Sequence, residues 1–119
     1  MAETNTSRTL RYLRKQDYKC GIVERYNQYT KQRYDLFNIF DIIAYRVHDK
    51  EILGVQSCAG SGFNEHDKKI LANENTKGWL DAGGKIMLIA WRKLKTKKKD
   101  NSYSKKYKWH PKIKYYKNF

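Results

Sequence analysis

The sequence contains few of the residues that cross-link a chain or carry it through a membrane. Of its 119 residues, two are cysteine and one is proline. Two cysteines do not make a disulfide framework, so we expect a reduced, intracellular protein of the cytoplasm. No stretch approaches the roughly 18 to 20 apolar residues of a membrane span, and the N-terminus lacks the apolar core of a signal peptide. We therefore expect neither a secreted disulfide scaffold nor a membrane protein.

Acidic residues are scarce as well, and the imbalance is concentrated at one end of the chain. There are 12 Asp and Glu against 26 Lys and Arg, a net charge of +14. Residues 92–119 alone carry 12 basic residues and one acidic residue. A fold does not need this excess, whereas a polyanionic partner explains it, and nucleic acid is the first candidate. A solubilising tail is the alternative; an anionic membrane is less favoured, since the tail has no amphipathic helical stripe.

The apolar pattern predicts one domain of the order α-β-β-β-α-β. Asn5, Thr6 and Ser7 offer N-caps for a first helix that ends by Gly21. The strands are predicted in "GIVERYN", "DLFNIFDIIAYRV", "EILGVQSC" and "KIMLIAWRKL", with one or two helices in "NEHDKKILANENTKGWLDAGG". This order indicates an α/β or α+β fold with a small mixed sheet. The second and third strands should be antiparallel, and the third and fourth joined by a parallel crossover.

The composition divides the chain into a core domain, 1–94, and a basic extension, 95–119. The extension alternates lysine with tyrosine and tryptophan in "YSKKYKWHPKIKYY". It is predicted either to add an edge hairpin or to form an arm that becomes ordered on binding. Its basic and aromatic side chains are the predicted nucleic-acid contacts: Lys97, Lys98, Lys99, Lys105, Lys106, Lys108 and Trp109.

Polar residues in two apolar strands are the candidate site. Asp41 lies in "IFDIIA" and Gln56 in "GVQSCAG", and a hairpin over "VHDKEI" would bring them together at one end of the sheet. Both offer hard oxygen ligands of the kind that Mg²⁺ or Mn²⁺ prefers, and Glu24 could add a second carboxylate. The structural alternatives are that Asp41 caps a strand or pairs with an arginine, and that Glu24 is an exposed strand residue.

Other residues in and after this strand suggest further roles. His66, Lys68 and Lys69 open the following helix, where one lysine could lean over the carboxylates and stabilise a phosphate. An exposed, charged helix start is the alternative interpretation. The two cysteines and three histidines show no zinc-ligand spacing, and Cys58 is expected to be a small buried residue rather than a nucleophile.

This pattern resembles the PD-(D/E)XK nuclease superfamily, especially its small phage-encoded, virus-type-repeat and Holliday-junction-resolvase-like domains. The resemblance covers about residues 10–93. It matches Asp41 to the first acid, after Phe40 in place of proline, and Gln56 to the second. Cys58 falls where the family has its lysine, for which Lys68 or Lys69 could substitute. Glu24 could match an extra acid of some members, and Asp35 is a further candidate.

The resemblance implies a restriction-endonuclease-like core and phosphodiester hydrolysis, on branched or structured DNA. Mg²⁺ or Mn²⁺ held by Asp41 and Gln56 would polarise the phosphate and lower the pKa of a bound water. Relatives of the resolvase type act as dimers, so a homodimer is expected. Because one acid and the lysine of the motif are replaced, a DNA-binding protein without catalytic activity is the alternative.

Overall fold

The computed structural model describes residues 3–100 and 102–117; the side chains of residues 103–105 are not described. The helices are α1 (Asn5–Arg14), α2 (Phe63–Ala72) and α3 (Glu74–Asp81). The strands are β1 (Lys19–Ile22), β2 (Arg25–Asn27), β3 (Gln32–Tyr34), β4 (Ile42–Arg46), β5 (Glu51–Ala59), β6 (Lys85–Lys97) and β7 (Tyr103–Tyr116). Within these residues no helix has the length and apolar character needed to cross a bilayer.

Five of the strands form one mixed sheet in the order β1-β4-β5-β6-β7. β4 pairs antiparallel with both β1 and β5, and β6 pairs parallel with β5 and antiparallel with β7. The antiparallel hairpin of β4 and β5 and the parallel crossover through α2 and α3 are as predicted, and the mixed α and β fold is confirmed. β2 and β3 form a separate two-stranded sheet.

Helix α1 covers one face of the sheet. Thr4 caps it, since its side chain accepts a hydrogen bond from the Ser7 backbone N–H at 3.0 Å. The helix ends at Arg14, earlier than the predicted limit at Gly21. Its buried leucine packs with apolar residues of β4, β5 and β6. This cluster comprises Leu13, Tyr18, Ile42, Ala44, Leu53, Val55, Met87, Ile89 and Trp91.

Helices α2 and α3 cover the opposite face. Their buried residues pack on the alternate residues of the same strands, in a cluster of Ile39, Phe40, Cys58, Phe63, Ile70, Leu80, Ile86, Leu88, Ala90 and Tyr116. The Phe40 ring lies directly over Gly54, where any Cβ would collide with it. A glycine in the middle of β5 is therefore explained by close packing.

The strand predicted over "DLFNIFDIIAYRV" is wrong in its first half. Residues 35–41 form a turn in which Phe37 and Asn38 adopt positive φ angles of 57° and 59°. Leu36 and Phe40 close this turn with two backbone hydrogen bonds, of 2.8 and 3.0 Å. The apolar side chains of Ile39 and Phe40 are buried under the helices. The segment is apolar because it is buried, not because it is extended.

One further strand boundary differs from the prediction. The strand predicted in "GIVERYN" divides into β1 and β2, and Glu24 lies in the break between them. At the other end of the chain, β6 continues to Lys97 and pairs with β7 from Ile86 to Lys97. The basic extension supplies β7, whose Tyr116 is buried in the cluster beneath α2 and α3. The extension is thus built into the main sheet.

Candidate functional site

Asp41 lies at the start of β4, opposite Gln56 of β5. Its backbone N–H donates to the Val55 carbonyl at 3.0 Å, which continues the ladder of the two strands. Both of its carboxylate oxygens lie 3.2 Å from the backbone N–H of Ser57. Only 5% of the residue is exposed. The side chain that the sequence marks as anomalous is therefore a buried carboxylate fixed against the edge of a neighbouring strand.

Gln56 connects this position to a second acid. The surrounding acceptors orient its amide so that the nitrogen donates to Asp35 Oδ2 at 3.2 Å and to the Ile39 carbonyl. Burial raises the pKa of Asp35, while the nearby His66, the Gln56 amide and Lys69 act to lower it. Asp35 belongs to the turn that precedes β4. The structure thus joins the candidate acid of "RYDLF" to Gln56, which the sequence could not establish.

Three carboxylates are close enough to affect one another here. Burial raises the pKa of Asp41 to about 8; the Ser57 N–H opposes the shift, and the charges of Asp35 and Glu24 increase it. Glu24 is held beside this group by its place between β1 and β2, where Val23 N–H donates to the Asp41 carbonyl at 3.0 Å. The site therefore groups three acidic side chains in a protein that is otherwise strongly basic.

Helix α2 contributes positive charge next to Asp35. His66 and Lys69 both lower the pKa of that carboxyl through their charge. His66 Nδ1 lies 3.0 Å from the Gly62 carbonyl, and Lys69 Nζ lies 3.7 Å from Glu65 on an exposed part of the helix. Lys68 is exposed. Of the two lysines predicted to serve the site, Lys69 is the one with an electrostatic effect on it.

Cys58 occupies the position where the resemblance expects a lysine, and it cannot replace one. The residue is buried, and burial, with the charge of Asp41, raises the pKa of its thiol to about 11. A thiol in this state is neutral and behaves as a small apolar side chain. Cys58 is part of the cluster beneath α2, as predicted.

The strand that carries the site is held from behind by helix α1. Thr9 Oγ1 donates to the Asn5 carbonyl at 2.9 Å and accepts from Trp91 Nε1 at 2.9 Å. The Ser57 hydroxyl oxygen lies 2.8 Å from Thr9 Oγ1. Because the Thr9 hydroxyl already donates its hydrogen to the Asn5 carbonyl, Ser57 is the donor in this bond. Since Ser57 also binds Asp41 through its backbone, this buried network fixes the position of the carboxylate.

The basic part of the chain forms an arm at the same end of the sheet. β5 ends opposite Trp91, whereas β6 and β7 continue as a two-stranded ribbon, which we call the arm, residues 92–97 and 103–110. At about 3.3 Å per residue, it projects roughly 20 Å beyond β5. Most of the predicted nucleic-acid contacts lie on it or in its turn, at Lys97, Lys98, Lys99, Lys106, Lys108 and Trp109. The Lys105 side chain lies outside the described residues.

One face of the arm is a ladder of cations and aromatic rings. Lys93 Nζ lies 5.1 Å from the Tyr107 ring centre and 6.0 Å from that of Trp109, and Lys95 Nζ lies 5.9 Å from the Tyr107 ring. The Arg8 guanidinium of α1 stacks on Trp109 at 3.6 Å. The sequence marked Trp109 but not its partners on α1 and β6. Lys93 and Lys95 remain exposed to solvent in these contacts.

A cavity of about 620 Å³ lies at the other end of the sheet, away from Asp41. Glu51, the first residue of β5, is buried in its wall, with Arg46 Nη2 at 3.5 Å and Lys85 Nζ at 3.9 Å. The Arg46 guanidinium also stacks on Tyr18 at 4.2 Å. The charges of Arg46 and Lys85 compensate that of Glu51, so a structural ion-pair network explains the charged residues in the wall of this cavity.

Within residues 3–100 and 102–117, no three His, Cys, Asp or Glu side chains are arranged so that they could hold a metal ion. The oxygen-bearing side chains around Asp41 therefore do not form a complete protein-only cage. Comparison of the chain with models of known protein families, with curated proteins and with solved structures finds no match.

Proposed function

We propose that the protein is a metal-dependent nuclease of the PD-(D/E)XK type that hydrolyses phosphodiester bonds in DNA. The observation that carries this proposal is the buried Asp41, opposite Gln56, beside two further carboxylates at the root of a basic arm. A protein gains nothing in stability from a buried acid beside two partly buried ones. It gains a site for a cation next to a surface that attracts a polyanion.

The fold supports the same proposal. The antiparallel group of β1, β4 and β5, followed by two helices and a parallel β6, is compatible with the restriction-endonuclease-like core that the resemblance implies. In such a core the acids lie where the second and third strands of the meander meet. Asp41 and Gln56 would take those positions. The β2–β3 hairpin and β7 would be additions to it.

The donor set suits Mg²⁺ or Mn²⁺. Asp41 and Asp35 offer carboxylate oxygens, and Gln56, which uses its amide nitrogen to hold Asp35, keeps its amide oxygen for a ligand. Mg²⁺ is usually bound through one or two carboxylates, with waters and substrate phosphates completing the shell, so an incomplete protein cage fits it. Burial, and after it the charges of Asp35 and Glu24, raise the pKa of Asp41, and a bound cation would oppose this shift by favouring the ionised carboxylate.

The remaining chemistry belongs to the residues of this chain. The bound cation would supply a water of lowered pKa and polarise the scissile phosphate. Ser57 and its Thr9 network hold Asp41 still, and Gln56 holds Asp35. Lys69 places positive charge on the α2 side, where the phosphate would gain charge. The arm would hold the DNA backbone through counterion release, largely without reading sequence.

A DNA-binding protein without turnover is the second candidate. The observation in its favour is Cys58, a buried neutral thiol in the place of the lysine that aligns the water in related enzymes. Such a protein would bind DNA through the arm, and its acidic side chains would have no catalytic role. Its binding to DNA would not require Asp41, because the arm alone would supply the contacts to the backbone.

One experiment separates the two candidates. The purified protein is incubated with branched, duplex and single-stranded DNA, with and without Mg²⁺ or Mn²⁺, and its affinity for each is measured in EDTA. If the protein is a nuclease, we expect cleavage that depends on the cation and that the substitution Asp41→Ala abolishes. Salt-sensitive binding with no cleavage of any substrate, and with binding by Asp41→Ala intact or stronger, would establish the binder.

A further inference from the structure

The hairpin of β2 and β3, residues 25–34, is not part of the main sheet. It forms its own two-stranded sheet, paired Arg25 with Tyr34 and Tyr26 with Arg33. Tyr29, in the connecting turn, is 89% exposed and Tyr26 is 62% exposed. Exposed tyrosines grouped on one element indicate a surface with a partner. We call this element the tyrosine hairpin.

The composition of the tyrosine hairpin restricts what that partner can be. Its ten residues include three tyrosines, three basic residues and no acidic residue. The two cross-strand pairs farthest from the turn each join one arginine to one tyrosine, and because side chains alternate, each face of the hairpin presents one such pair. Rings beside guanidinium groups suit bases flanked by phosphates, since rings stack on bases and guanidinium groups bind phosphate.

The hairpin is held in shape by its own hydrogen bonds. Asn27 Oδ1 accepts from the backbone N–H of Tyr29 at 2.9 Å and of Thr30 at 3.2 Å, which fixes the turn. The Tyr34 hydroxyl donates to Gln32 Oε1 at 3.2 Å. A preformed element presents its rings at a low cost in conformational entropy, as a rigid contact surface requires.

Both ends of the hairpin are attached to the candidate site. Glu24 immediately precedes β2 and Asp35 immediately follows β3. Arg33 Nη1 also lies 3.8 Å from Glu24 Oε2. The turn residue Tyr29 comes four positions after Arg25, so the tip reaches roughly 13 Å from the site, about four base-pair steps of duplex DNA.

We propose that the tyrosine hairpin is a wedge that stacks on the exposed bases of a DNA junction, where paired strands separate beside the scissile phosphate. This proposal rests on the proposed function for DNA as the ligand, and what it adds is the element of this chain that would recognise separated strands. The hairpin contacts bases with Tyr29 at its tip and separates the two strands with its two Arg–Tyr faces. The arm, with its excess of lysine, holds the paired region.

The test compares forked DNA with a fully paired duplex of equal length, in EDTA so that neither is cut. 2-Aminopurine placed at the fork reports stacking through quenching of its fluorescence. Tyr29→Ala and Tyr26→Ala should each weaken fork binding by about tenfold, lose the quenching and leave duplex binding unchanged. Tyr29→Trp should restore both. The matched control is Tyr45→Ala, which removes a tyrosine that is 50% exposed on β4.

Each outcome decides a separate point. Equal fork and duplex affinities in the wild type, or fork binding that survives both alanine variants, overturns the wedge; a surface for a protein partner would give that result. Fork-specific loss in a protein that cuts nothing with Mg²⁺ or Mn²⁺ leaves the wedge standing and refutes the nuclease. Normal cleavage with unchanged fork binding refutes only the wedge. Circular dichroism spectra establish that all variants are folded.

Discussion

The backbone N–H of Ser57 lies 3.2 Å from each carboxylate oxygen of Asp41. A single N–H shared between two oxygens anchors the carboxylate from the β5 side but neutralises little of its charge. The remaining lone pairs are directed away from that N–H, in the neighbourhood of the Asp35 and Glu24 charges. The contact between the Ser57 N–H and the Asp41 carboxylate defines the candidate site.

Replacing Asp41 with asparagine should change how stability depends on pH. In the folded protein the Asp41 pKa is about 8, whereas an unfolded aspartate titrates near 4. The folded state therefore holds a proton over this range, and the free energy of unfolding falls as pH rises from about 4 to about 8. Asp41→Asn removes this dependence while keeping an acceptor for Ser57. Above pH 8 the free energy of unfolding of Asp41→Asn should exceed that of the wild type by on the order of a few kcal/mol.

Urea unfolding in EDTA, followed by tryptophan fluorescence at pH 5 and pH 9, measures this difference. The wild type should lose stability between the two values, and the gap between the proteins should open mainly at pH 9. Two curves that run parallel across the range would mean that Asp41 is ionised in the folded state at pH 5.

Gln56→Glu should make the site more dependent on a cation. The substitution removes the amide donor of Asp35 and adds a fourth acid beside Asp35, Asp41 and Glu24, so without metal it should cost about 1 to 3 kcal/mol of stability. Mn²⁺ should raise the melting temperature of this variant more than that of the wild type, because binding to the folded state adds stability. Gln28→Glu makes the same charge change at an exposed position. If Mn²⁺ shifts both variants equally, Gln56 does not lie at a cation site.

The arm should hold DNA mainly by charge. Lys98 and Lys99 lie just beyond the end of β6, in the connection to β7. Replacing both with alanine should weaken binding at low salt and reduce the slope of log affinity against log salt by about 0.9 for each phosphate that is no longer neutralised, at most about 2. The control is Lys77→Ala, because the Lys77 ammonium pairs with Asp81 on α3. If the salt slope of the Lys98 and Lys99 variant is unchanged and that of Lys77→Ala is reduced, the DNA does not bind at the arm.

Some features of the fold follow directly from the sequence. The short polar break after Val47 predicts the β4–β5 hairpin, and the long amphipathic segment before Lys85 predicts helices and a parallel crossover. Asp41 and Gln56 can be paired from the sequence because the length of a hairpin determines which residues face each other. These predictions depend on local periodicity and short connections.

Other features depend on tertiary contacts that the sequence does not show. The run around Phe40 has the composition of a strand, but its side chains are buried as a turn against Gly54 and the helices. The bond from Gln56 to Asp35 requires that turn, so the sequence could offer Asp35 only as a nearby candidate. Arg8 stacks on Trp109 across about a hundred residues of chain, and no local pattern encodes that contact.

Cleavage of forked DNA with and without a divalent cation, by wild-type protein and Asp41→Asn purified in parallel, is the most direct test of the nuclease. We predict single-turnover cleavage by the wild type in Mg²⁺ or Mn²⁺, no cleavage in EDTA, and a rate at least about 100-fold lower for Asp41→Asn. Parallel purification controls for a contaminating nuclease. No cleavage by the wild type, or equal rates from the two proteins, would contradict the proposed activity.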